Sequence, residues 1–187
     1  KYLRKAIEIM PANAEICSNL GILLKDVGNL EEAELFLRKS IKIKPNYAEA
    51  LSNLGAIFGD LDNLKEAEKY LRKAIKVKPN FASALCNLGN ILFNLGNVKE
   101  AEPYLVKAIK IKPNYADAHF LLGAVLRSQG NLQEAKLSLQ KAIEIKSDFA
   151  QAYFLLSTLT CTKLDNEIYK NKLFSNDVLE SIPLKDK

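Results

Sequence analysis

Proline stands at positions 11, 45, 79 and 113 of this chain, 34 residues apart each time, and Ser147 takes the next slot. Gly21, Gly55, Gly89 and Gly123 keep the same interval, as do Ala33, Ala67, Ala101 and Ala135. A fixed period of this size selects a repeat array over a single globular domain. Each copy is one supersecondary piece that buries its apolar face only by stacking on its neighbours.

The repeat is clearest in residues 48–81, AEALSNLGAIFGDLDNLKEAEKYLRKAIKVKPNF. It reads as two helices. Leu51, Leu54, Ile57, Phe58 and Leu61 recur at helical spacing, followed by Leu64, Ala67, Tyr70, Leu71, Ala74, Ile75 and Val77. The turn between them carries Gly28, Gly96 or Gly130, with Asp62 in that slot of the second repeat. A left-handed residue ends a helix there at least cost. Asn29 with Glu32, Asn63 with Glu66, Asn97 with Glu100 and Asn131 with Glu134 form a capping pattern. Asn46, Asn80, Asn114 and Asp148 are expected to cap the helix that follows. A glycine inside a helix costs roughly 1 kcal/mol against alanine. Gly21, Gly55, Gly89 and Gly123 are therefore placed where two helices cross too closely for a side chain, facing Ala33, Ala67, Ala101 and Ala135. Pro103 is expected to bend its helix slightly without breaking it.

Applied to the whole chain, the period gives the second helix of a truncated repeat at 1–13 and four complete repeats at 14–149. The first helix of a divergent fifth repeat follows at 150–163, then a helical cap or linker at 164–187. The chain opens in mid-pattern, so it reads as part of a longer protein. Tyr2, Leu3, Ala6 and Ile7 have lost half their natural covering, which suggests fraying or end-to-end self-association at that edge.

Composition narrows the function. With 48% apolar residues the chain can bury a continuous core, and a net charge of +5 gives little push toward nucleic acid. Cys17, Cys86 and Cys161 lie far apart without metal-ligand spacing, which fits a reducing, cytoplasmic setting. No apolar run reaches the length of a membrane span. His119 falls where other repeats have Leu51 and Leu85, so it reads as a packing residue rather than a base. The glycines are accounted for by crossings, turns and a helix face, leaving none for a phosphate loop. No catalytic residue, metal site or cofactor is expected.

The motifs N-L-G-x-I/L-L/F, N-L-x-E-A-E and Y/F-L-x-K-A-I-K-I-K-P-N resemble the tetratricopeptide repeat, from Lys1 to about residue 162. The resemblance implies an all-α, right-handed superhelical solenoid of stacked antiparallel helix pairs, without strands. It also implies a concave groove lined by the first helices that binds a protein or peptide. The tail is more weakly similar to the linker of repeat-fused bacterial sulfotransferases.

On that view Glu49, Ser52, Asn53, Ala56 and Asp60 share the groove face, aligned with Glu15, Ser18, Asn19, Ile22 and Asp26. The third row is Ser83, Cys86, Asn87, Asn90 and Asn94. Asp117, Phe120, Leu121, Ala124 and Ser128 follow, then Gln151, Phe154 and Leu155, so the groove is expected to turn from polar to apolar. Asn19, Asn53 and Asn87 form a ladder suited to a ligand's backbone, because an amide both donates and accepts. Some glycosyltransferase tetratricopeptide arrays carry a similar ladder. Phe120, Leu121, Phe154 and Leu155 would supply an apolar pocket. The family's clamp for acidic carboxy termini uses groove lysines, and here those positions hold Ser18, Ser52 and Cys86.

The leading function is a protein–protein interaction scaffold. A recruiting module of a larger sulfotransferase or glycosyltransferase is the alternative. A third reading uses the lysine stripe (Arg38, Lys39, Lys42, Lys44 and their repeats) to bind nucleic acid or an acidic partner. The placement of those lysines at helix ends, with Glu31, Glu32 and Glu34 at the starts, fits the helix dipole better.

Overall fold

The computed structural model describes residues 12–159. Every regular element among them is an α-helix: α1 (Ala14–Asp26), α2 (Leu30–Ile43), α3 (Ala48–Asp60), α4 (Leu64–Val77), α5 (Ala82–Asn94), α6 (Val98–Ile111), α7 (Ala116–Ser128), α8 (Leu132–Ile145) and α9 (Ala150–Ser157). The described residues form two compact units, divided after Gly96 and holding α1–α5 and α6–α9. In the first, α1 packs on α2 and α3 on α4, and α2 and α4 each pack on the helix that follows. In the second, α6, α7, α8 and α9 pack in the same succession. The readings of the amino-terminal helix, its self-association, Cys161 and the carboxy-terminal cap lie outside the described residues.

The interior glycines sit at close crossings. A Cβ on Gly21 would lie 2.7 Å from Leu37 Cγ and 3.2 Å from the Ala33 carbonyl oxygen. Gly55 meets Leu71 and Ala67, and Gly123 meets Leu139 and Ala135, at the same 2.7 and 3.2 Å. The leucine four residues after each alanine is thus the nearer neighbour. Leu37, Leu71 and Leu139 are fully buried, as are the three alanines.

The turns between paired helices use the left-handed region, with φ of 80°, 79° and 86° at Gly28, Gly96 and Gly130 and 58° at Asp62. Pro103 lies inside α6, which keeps the 14 residues of the other second helices.

The caps differ from expectation. Asn29 Oδ1 accepts from the Glu32 backbone N–H at 3.3 Å, and its amide donates to the Glu32 carboxylate at 2.9 Å. Asn63, Asn97 and Asn131 occupy the same slot without a side-chain cap bond. Asn46, Asn80, Asn114 and Asp148 lie one position outside the N-cap of the helix that follows. The flanking residues are Tyr47, Phe81, Tyr115 and Phe149. Of the described first helices α1 alone has an asparagine at that position, and Asn13 Oδ1 accepts from the Ile16 N–H at 3.0 Å. Leu61 and Val77, placed by their spacing on the apolar stripes, are exposed.

Candidate functional site

Within the first unit, α1, α3 and α5 carry Asn19, Asn53 and Asn87 at equivalent positions of successive repeats. Asn19 is exposed; Asn53, Asn87 and Asn90 are half-buried. Among the described residues, none of these four side chains spends its amide on another protein group.

Ser18, Ser52 and Cys86 require correction. They are 1%, 3% and 2% exposed, so they sit inside the protein and not on a ligand-facing surface. The first helices of successive repeats approach one another directly in this unit, α1 to α3 and α3 to α5. Small side chains at this position let them do so. Cys86, read as lying on a polar face, is a buried thiol like Cys17.

The sequence did not announce a recess of about 200 Å³ in the same unit. Ala56, Gly59 and Ile91 line it together with Lys25, Asp60, Asn87, Asn90 and Asn94. Lys25 Nζ and Asp60 Oδ2 are 3.7 Å apart and both partly exposed.

In the second unit Phe120 and Leu155 pack against the core of Leu139, Ala142, Phe149 and Leu156. The Phe120 ring centroid is 5.0 Å from that of Phe149. These two side chains are therefore largely structural. Leu121 is half-buried, and Phe154 is 59% exposed. His119 is half-buried, with Nε2 2.9 Å from the Pro113 carbonyl oxygen, as suits a packing residue.

The basic side chains have partners of their own. Arg38 and Arg72 bond Glu34 and Glu68 at 2.7 Å, one turn earlier on the same helix. Arg38 also donates to Tyr70 Oη at 3.2 Å and lies over the Phe58 ring. Lys44, Lys78, Lys112 and Lys146 each sit over the aromatic ring three residues on. Lys78 also bonds Glu49 at 2.7 Å, which holds that carboxyl below the usual range. Burial pushes the Tyr47 phenol up, helped by Glu15 and Glu49. Among the described residues no three His, Cys, Asp or Glu side chains gather as metal ligands. No described helix is long and apolar enough to cross a membrane.

Three family models, each describing the tetratricopeptide repeat, match residues 14–47, 48–81 and 80–148. Comparison with curated protein sequences gives no match. Among solved structures, YrrB, a TPR protein with an unusual peptide-binding site, is 26% identical with a TM-score of 0.71. That match covers 96% of this chain and 92% of YrrB. PilF of Pseudomonas aeruginosa is 23% identical with a TM-score of 0.79, over 86% of this chain and 74% of PilF. The O-GlcNAc transferase of Thermobaculum terrenum is 25% identical with a TM-score of 0.67, over 70% of this chain but 26% of the transferase. The matched repeats run from residue 14 to residue 148 and carry the crossing glycines and left-handed turns described above. This chain belongs to the tetratricopeptide repeat family.

Proposed function

We propose that the first unit holds an extended peptide along α1, α3 and α5, with Asn19, Asn53 and Asn87 pairing with its backbone. The tetratricopeptide fold is an interaction scaffold, and no catalytic constellation was found in the sequence. The observation that carries the reading is that these amides have no partner inside the described protein, although an amide offers two donors and an acceptor. YrrB, with its own peptide-binding site, is similar over nearly the whole chain. Ser18, Ser52 and Cys86 support the groove from within, while Phe154 and Leu121 offer apolar contact in the second unit. A cytoplasmic location accords with Cys17 and Cys86 standing as buried thiols outside any disulfide.

A second reading, a recruiting module of a larger transferase, is favoured by the likeness to the repeats of the O-GlcNAc transferase. It uses the same groove. Nucleic-acid binding through the lysine stripe is disfavoured, because several of those side chains are engaged by glutamates and rings.

The test is recovery of a partner by pull-down, followed by affinity measurement with Asn19, Asn53 and Asn87 all replaced by Ala. Each lost amide contact costs about 0.5–1.5 kcal/mol. The triple variant should thus bind at least about tenfold more weakly with unchanged helical content. Unchanged affinity overturns the ladder.

A further inference from the structure

The recess beside the ladder lies over the small Ala56 of α3, while the side-chain space of Gly59 is taken by Ile91, whose Cδ1 would stand 2.9 Å from a Cβ there. Where α1 carries Ile22 and Lys25, and α5 carries Asn90 and Phe93, α3 presents Ala56 and Gly59. At about 200 Å³ the space is smaller than the roughly 300–1,000 Å³ of a small-molecule site and suits one side chain. Its rim is polar and carries both signs of charge. Lys25 Nζ and Asp60 Oδ2 stand 3.7 Å apart, beyond hydrogen-bond reach of each other, and the Asn90 and Asn94 amides have no internal partner among the described residues.

We infer that this recess is a specificity pocket for a carboxamide side chain, an asparagine or glutamine of the bound peptide. The inference rests on the peptide-groove reading above. A carboxamide answers the Lys25–Asp60 pair directly: its carbonyl accepts from the ammonium and its NH₂ donates to the carboxylate. The Asn90 and Asn94 amides can take up the remaining donor and lone pair. A carboxylate would be drawn to Lys25 but repelled by Asp60, and an ammonium would meet the reverse. An apolar side chain would desolvate all four polar groups without pairing any. Sites built on hydrogen bonds reject a ligand that lacks them far more strongly than apolar sites reject a wrong shape.

The experiment selects peptides from a random phage-displayed library on the whole 187-residue chain, on Asp60→Asn and on Ala56→Leu. The variant with Asn19, Asn53 and Asn87 replaced by Ala is the control. Ala56→Leu fills the recess at a half-buried position whose counterpart in α1 is already Ile22. Asp60→Asn removes a charge from an exposed residue. The expected wild-type pool carries Gln or Asn at one fixed position. Asp60→Asn should shift that position to Glu or Asp, and Ala56→Leu should bind the wild-type peptides at least about tenfold more weakly. Peptides that need the ladder but show no carboxamide preference, or a preference indifferent to Asp60→Asn and Ala56→Leu, overturn the pocket while leaving the groove. A pool that binds the triple variant equally well, or no pool at all, overturns the groove reading and the pocket with it.

Discussion

Lys44 Nζ lies 4.9 Å from the centroid of the Tyr47 ring, and the pair recurs as Lys78 with Phe81 at 4.7 Å. In the second unit it recurs as Lys112 with Tyr115 at 4.6 Å and Lys146 with Phe149 at 5.0 Å. The lysine ends the second helix of one repeat and the ring flanks the first helix of the next, so each contact closes the loop that joins them. An exposed cation–π contact contributes about 0.5–1 kcal/mol. In a double-mutant cycle, Lys44→Met and Tyr47→Leu should couple by about 0.5 kcal/mol in urea unfolding. Strict additivity would show that the lysine is simply solvated.

The left-handed turn slot offers a stabilising change. Asp62 holds φ at 58°, where the equivalent residues of other repeats are Gly28, Gly96 and Gly130. A side chain in that region costs about 1 kcal/mol, so Asp62→Gly should raise stability by up to about that amount. Gly55→Ala should act in the opposite direction, because its Cβ would lie 2.7 Å from Leu71 Cγ. Overpacking of that kind costs about 1–3 kcal/mol. Thermal unfolding of the two variants should move to opposite sides of the parent, and a rise with Gly55→Ala would refute the crossing argument.

Why the turn and crossing residues were legible, while the burial of Ser18, Ser52 and Cys86 was not, follows from what fixes each. Gly28 and Asp62 answer to local backbone geometry, and Gly55 faces Leu71 of its own repeat, so one repeat contains the reason. Ser18, Ser52 and Cys86 are covered through contact between repeats, which a single helix projected on its own cannot display. Their signal was smallness: three small residues in register beside an asparagine that never changes through α1, α3 and α5. The failed caps were a matter of one position. Asn46 stands next to Tyr47, and the ring, held by Lys44, occupies the flanking site instead. The recess at Ala56 and Gly59 is visible in sequence only by setting them against Ile22 and Lys25, once the facing side of α3 is known.

Acid should weaken the second repeat in a way that depends on Glu49. Its carboxyl is held below the usual 4.5, first by the Lys78 hydrogen bond of 2.7 Å. A depressed folded-state pKa contributes stability above the unfolded value and loses it as pH falls through the folded one. Both side chains are largely exposed, so the effect is at most about 1 kcal/mol. Between pH 7 and pH 3 the Tm of Glu49→Gln should fall less than that of the parent. Parallel curves would mean the ion pair contributes nothing in solution.

Two serines in the first helix pair should respond with opposite sign to the same substitution. Ser40 is fully buried and its Oγ donates to the Ala14 carbonyl at 2.7 Å, tying α2 to the first turn of α1. Ser18 is equally buried, yet its Oγ has no hydrogen-bond partner among the described residues. Alanine is the natural residue at the Ser40 position in later repeats, where Ala74, Ala108 and Ala142 are all fully buried. A methyl group therefore fits, and Ser40→Ala reports the hydrogen bond alone, a loss of about 0.5–1.5 kcal/mol. At the Ser18 position Cys86 shows that a less polar group is accepted. Ser18→Ala removes a desolvated hydroxyl that nothing repays, a gain of about 1 kcal/mol. Urea midpoints should move down for Ser40→Ala and up for Ser18→Ala, with hydrogen exchange in α1 and α2 changing in step. A loss at both positions would mean that Ser18 also has a partner in solution, and the buried row beneath the asparagine ladder would then be polar by design.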